Sequence, residues 1–148
     1  MNNEFFMRSA IQEALIAKEK NEIPVGAVIV RNNEIISKGH NETLLNNSQI
    51  YHAEINAINS ASKYLSDWRL NDCDIYVTME PCLMCMGAII LSRIRRLIYG
   101  IDNEISGFLS SNINFNKQSI KIPIVNGILE NEIKEIVIEY FENLRIRK

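Results

Sequence analysis

The amino-acid sequence predicts an α/β protein, a three-layer α/β/α sandwich whose mixed sheet of about five strands carries helices on both faces. Short apolar strands alternate with helices through the second half of the chain, which calls for parallel neighbours and helices on both faces. The first half holds an Asn-Asn turn between two β-rich runs, the mark of an antiparallel hairpin. The 148 residues contain no Gly/Ser or Pro-rich linker, no fixed repeat and no long block of one charge, so 1–148 is expected to form a single domain.

From Asn3 to Lys20, Met7, Ile11 and Leu15 fall four apart beside Phe6, Ala10, Ala14 and Ala17, the spacing of an amphipathic helix. Pro24 then precedes a strand over Val25 to Val30, and Asn32-Asn33 separates it from a second over Glu34 to Gly39. Asn41 to Tyr51 is polar and turn-rich, a loop. From His52 onward Ala53, Ile55, Ala57, Ile58, Ala61, Tyr64 and Leu65 recur at helical spacing, so a second helix begins close to His52. Asp74 to Met79 reads as a buried strand, followed by Glu80-Pro81-Cys82 and a helical run from about Leu83 to Ser92. Pro81 suits the start of that helix, where its fixed φ and missing N–H cost least. Arg96 to Gly100 is a further strand, Ile122 to Val125 a weaker one, and Glu130 to Arg145 a final amphipathic helix.

Composition narrows the function classes. The charge sum is 16 − 18 = −2, which argues against a general nucleic-acid coat, because nonspecific affinity comes mainly from Lys and Arg neutralising phosphates. The longest apolar stretch, Met84 to Leu91, is far below the ~18 residues of a membrane span. The N-terminal segment lacks the basic and apolar regions of a secretory signal, so a cytoplasmic location with no membrane partner is expected. In a reducing compartment Cys82-x-x-Cys85 reads as a metal or redox site rather than a structural bridge. With only His40 and His52 present, a metal site needing imidazole has almost no choice of ligand.

Cys82 and Cys85, three apart in the first turn of a helix, present their sulfurs on one face and can share an ion. The helix N-terminus favours the thiolate that zinc requires. If His52 adds an imidazole, the site has three protein ligands, the number that catalytic zinc uses while keeping its fourth position for water. Glu54, two residues after His52, would point away from the ligands in a regular helix, but at a helix start it can face the cavity and do general acid/base work. Alone, a C-x-x-C reads equally as a redox pair or two core thiols, and a lone H-x-E carries almost nothing. Together at two helix starts, with a strand before the second, they point to catalytic zinc. Cys73, outside the spacing, is expected to be a buried thiol, and His40 an ordinary loop-edge residue.

The H-x-E…P-C-x-x-C signature is that of zinc deaminases. Through it the chain resembles the cytidine-deaminase-like superfamily. Its flanking words most closely resemble the bacterial tRNA-specific adenosine deaminases: Ile23-Pro24-Val25-Gly26-Ala27-Val28, Gly39-His40-Asn41, Trp68-Arg69-Leu70, Tyr76 through Cys85, and Ser92-Arg93-Ile94. The resemblance implies one Zn2+ per chain on His52, Cys82 and Cys85, with Glu54 passing protons from water to the adenine ring and then to the leaving amine. It implies hydrolytic deamination of adenosine to inosine at the wobble position of a tRNA anticodon loop, with release of ammonia. Asn41 matches a position that reads the purine edge, and Val25 and Ala53 match pocket positions. Asn103 falls in the segment that meets the neighbouring nucleotide, where the family usually has Asp, and Asp102 replaces a basic residue. Tyr51 puts a bulky side chain before His52. The family is homodimeric, with the Cys-bearing helix near the partner.

Two basic clusters, Arg93-Arg95-Arg96 and Arg145-Arg147-Lys148, read equally as solvated faces or as phosphate contacts for an anticodon stem-loop. Two competing functions remain: deamination of a free nucleobase or nucleoside, of guanine or cytosine type, and a noncatalytic zinc-stabilised RNA-binding scaffold. Glu54 speaks against the scaffold, since a structural site has no use for a carboxylate beside an open coordination position.

Overall fold

The computed structural model describes residues 2–147. The elements follow in the order α1 (Asn3–Glu19), β1 (Gly26–Arg31), β2 (Glu34–His40), α2 (Ala53–Leu65), β3 (Cys73–Met79), α3 (Leu83–Leu91), β4 (Arg96–Ile101), β5 (Ile124–Val125) and α4 (Glu130–Arg147). The strands form one mixed sheet in the order β2-β1-β3-β4-β5. β1 is antiparallel to β2 and β3, whereas β3, β4 and β5 run parallel. The expected α/β/α sandwich of five strands is thus the observed fold.

Strand alternation builds two cores, one on each face of the sheet. Ala27, Ile29, Ile75, Val77, Leu97 and Tyr99 pack with Ala53, Ala57, Ile58 and Ala61 of α2 and Met86 and Ile89 of α3. Their neighbours Val28, Val30, Tyr76 and Ile98 pack with Phe6, Met7, Ala10 and Ile11 of α1 and Ile133 of α4. The side chain of Asn2 caps α1 by accepting the Phe5 N–H at 3.1 Å. The β1–β2 turn places Asn32 and Asn33 at φ 52° and 61°, the left-handed pair that a two-residue hairpin demands and that Asn tolerates. Gly26 lets α1 lie directly on β1, because a Cβ there would meet the Ala10 carbonyl and the Ala14 amide.

Most elements end within one or two residues of their expected bounds, and two features differ in kind. The last strand shrinks to Ile124–Val125, since Pro123 has no N–H to give and contributes only its carbonyl, to the Leu97 N–H at 3.1 Å. A short 3-10 turn at Lys117–Ser119, closed by the Asn116 side chain, had no periodic signal. Among the described residues, no helix is long and apolar enough to cross a membrane.

Candidate functional site

The site lies where β3 ends and the N-termini of α2 and α3 converge. His52 and Cys82 are the N-cap residues of these helices, both in extended backbone, and neither side chain is spent on capping its own helix. They are thereby left to point at a common centre, which Cys85 joins from the first turn of α3. His52 Nδ1 lies 3.4 Å from Cys85 Sγ and 3.7 Å from Cys82 Sγ. A tetrahedral zinc with the usual Zn–N and Zn–S bonds has N···S edges of ~3.6 Å, so these donors fit the ion. They are also the donor set, among the described residues, in which three metal-binding atoms lie within 4.8 Å of one another.

The sulfurs are unequal. Donation by the Cys85 thiol, followed by that of His52, pulls Cys82 down to about 4. The adjacent Cys82 sulfur, followed by burial, pushes Cys85 up, and the Cys82 contact raises His52. Cys82 is thus the sulfur more readily deprotonated, and binding of a metal by this set would release protons.

A cavity of about 280 Å³ opens over this centre. Glu54 lines it together with His52 and Cys82. Its carboxylate is 4% exposed, and burial pushes it up to about 7. Being in the first helical residues, Glu54 escapes the divergence that two positions of regular helix would impose. Val25, Asn41 and Asn103 line the same cavity. Ala53, expected there, does not: its methyl is fully buried in the core with Ala57 and Ala61, because the residue between His52 and Glu54 turns toward the sheet. Tyr51 is 40% exposed and is not among the lining residues.

Asn103 accepts the N–H groups of Ile105 and Ser106 at 3.3 and 3.1 Å and donates to Ser106 Oγ at 2.9 Å. Its side chain therefore closes its own loop. An Asp would accept the same two N–H groups.

The remaining candidates sort clearly. His40 closes β2 with Nδ1 3.1 Å from Glu13, away from the metal donors. Cys73 is buried, and burial raises its thiol. Arg95 grips the buried Asp74 with two bonds of 3.0 and 3.1 Å, and Arg96 adds a third at 3.1 Å. Arg93 lies over the Trp68 ring. The first basic cluster is therefore largely committed to the fold. In the second, Arg145 lies on α4 and Lys148 lies outside the described residues.

Beside Asp74, two further buried carboxylates, Glu22 and Glu80, escaped the sequence reading. Glu22 accepts the Thr43 hydroxyl and the Leu44 and Leu45 N–H groups at 3.0–3.1 Å. Glu80 accepts the N–H groups of Asn103, Leu109 and Ser110 at 3.1, 2.7 and 2.9 Å. Each ties down a loop that borders the cavity. The one available signal was position: an acid directly before Ile23-Pro24 and another directly before Pro81-Cys82.

Residues 1–101 match the family described as the cytidine and deoxycytidylate deaminase zinc-binding region. The chain is 44% identical over 144 residues to the tRNA-specific adenosine deaminase of Rickettsia felis, covering 94% of this chain and 100% of that protein. It superposes with TM-score 0.84 and 38% identity on a chain solved in work on A-to-I editing by tRNA:A34 deaminases at the wobble position of transfer RNA; the match covers 89% of this chain and 98% of that one. A guanine deaminase from Nitrosomonas europaea superposes with TM-score 0.81 at 22% identity, covering 93% of this chain and 83% of that one, a likeness of fold alone. Matched almost end to end, the chain belongs to the tRNA-specific adenosine deaminases, within the cytidine and deoxycytidylate deaminase zinc-binding family.

Proposed function

We propose that this chain deaminates adenosine to inosine at the wobble position of a tRNA anticodon loop, as a zinc-dependent hydrolase acting on the amidine C–N bond and releasing ammonia. The observation that carries this reading is the meeting, in one cavity, of an N/S donor triad and a buried carboxylate outside that triad. His52, Cys82 and Cys85 would hold Zn2+, which when bound supplies the Lewis acidity that makes water a nucleophile at neutral pH. Glu54 accepts one proton from the water and delivers it to the ring nitrogen, then carries the second, from the new C–OH group, to the amine that departs as ammonia. Asn41, 5% exposed and lining the cavity, offers both a donor and an acceptor to the purine edge. Val25 and Asn103 form parts of the walls. A cavity near the lower end of small-ligand volumes suits a single base, and bases of an anticodon loop are extruded at low cost.

The acting unit in this reading is one deaminase domain, 1–148, paired with a second copy in the cytoplasm. Support for a homodimer comes from α3, whose outer face presents Leu83, Ile90 and Leu91 at 42%, 40% and 71% exposure. A Cβ at Gly87 would meet nothing within 4 Å, so another backbone can approach there. Sedimentation should give a dimer, and Leu91→Asp should shift it toward monomer; a wild-type monomer at every concentration refutes the pairing.

The substrate test offers an anticodon stem-loop with a wobble adenosine beside free adenine, guanine and cytosine. Inosine formed in the loop supports the reading. Turnover of a free base alone rejects it in favour of the nucleobase alternative.

A further inference from the structure

Segment 102–110 forms one wall of the cavity without helix or strand, so its backbone N–H groups have no ladder to satisfy them. Three of them converge on one side chain. Glu80 Oε1 accepts the Asn103 N–H at 3.1 Å, while Oε2 accepts those of Leu109 and Ser110 at 2.7 and 2.9 Å. Glu80 is 2% exposed, and these partners are main-chain amides from 23 to 30 residues away rather than a cation. The wall is also pressed against the carboxylate: a Cβ on Gly107 would overlap Glu80 Oε2 and the Asn103 carbonyl. Phe108 N–H donates to the Pro81 carbonyl at 3.0 Å, and Gly107 pairs with Cys82 in an isolated bridge. The wall is thus registered, residue by residue, on the turn that delivers the Cys ligands.

We propose that Glu80 is a positioning residue for substrate: its carboxylate holds the 103–110 wall in the shape that receives the nucleotide, and touches no reacting atom. The proposal rests on the deaminase reading above for its substrate. Although Glu80 borders the cavity, most of its acceptor capacity is filled by the loop, which separates its role from that of Glu54. The wall contributes binding that is equal in ground and transition states, so loosening it should raise KM and leave kcat nearly unchanged.

Two variants disturb the same contact from opposite sides. Glu80→Gln removes the charge and brings a donor amide against at least one loop N–H in either orientation. Gly107→Ala inserts a methyl where Oε2 sits. Met7→Ala, in the core beneath α1, serves as a control that lowers Tm at a distance from the wall. With the anticodon stem-loop, each wall variant is expected to raise KM about tenfold with kcat within about threefold, and the double variant should be no worse than the weaker single. Zinc should stay at one per chain. Hydrogen exchange should show the Leu109 and Ser110 amides losing protection in Glu80→Gln. An unchanged KM, loss of zinc, or an equal rise in KM for Met7→Ala overturns the proposal. If the wild type leaves the stem-loop unaltered, the functional reading fails on its own. Hydrogen exchange then still decides, since unchanged protection of those two amides in Glu80→Gln refutes the clamp.

Discussion

The floor and the rim of the cavity are built on different principles. The floor is two helix starts, with the N-cap His52 and Glu54 on one and the N-cap Cys82 and Cys85 on the other, their side chains aimed by the cap and first turn. The rim is two irregular loops, 41–51 and 102–110, each anchored by a buried carboxylate that binds main-chain amides. On the floor, in the proposed function, the chemistry depends on side-chain identity. On the rim, amides hold the shape, and Tyr51, Asp102 and Asn103 all fall there. Neither rim loop contains a Lys or Arg, so any cationic contact to phosphate would come from beyond it.

This contrast can be broken at several points. The largest effect is expected for Cys82→Ala, which removes a floor ligand: metal analysis should find the zinc lost and calorimetry a lowered Tm, with activity abolished. Zinc retained at one per chain would show that the donor set is misassigned. Next, Glu54→Ala should keep metal and fold while kcat falls by about 10²–10⁴-fold, and full turnover would remove Glu54 from the mechanism. On the rim, Glu22→Gln should cost about 1–3 kcal/mol in denaturant unfolding by leaving part of the 43–45 turn unsatisfied, with the zinc content unchanged. A loss of metal in that variant would erase the distinction between rim and floor. The smallest change is Asn103→Asp, which preserves both accepted N–H bonds; KM for the stem-loop should move by less than about threefold. A larger shift would mean that the amide itself meets the nucleotide.

The floor was legible because its signals are local. Helical periodicity located α2 and α3, and the ligand spacing fell at their first turns. The order of elements followed from alternation for the same reason, with Pro123 shortening the last strand through its missing N–H. The rim was not legible. Glu80 meets Leu109 across 29 positions, and an acceptor gives no sign in sequence of which distant amides it will bind. Ala53 marks a finer limit: a matching position between two site residues says nothing about which side of a first helical turn its methyl takes. The Arg95 and Arg96 guanidinium groups likewise look available until Asp74 is seen buried beneath them.

The two uncapped helix starts have a consequence for the chain as a polymer. An ion held by His52 and Cys85 closes a loop of 33 residues, acting as a reversible cross-link. On the chain-entropy scale of a covalent bridge, a loop of this length restricts the unfolded ensemble by about 3–4 kcal/mol. The closed loop contains α2 and β3 and ends in the first turn of α3, so it spans one entire layer contact of the sandwich. A bound metal would thereby tie the α2–α3 layer together, whereas the α1 layer on the opposite face coheres through apolar packing and the Arg8–Glu132 and Lys18–Glu139 ion pairs.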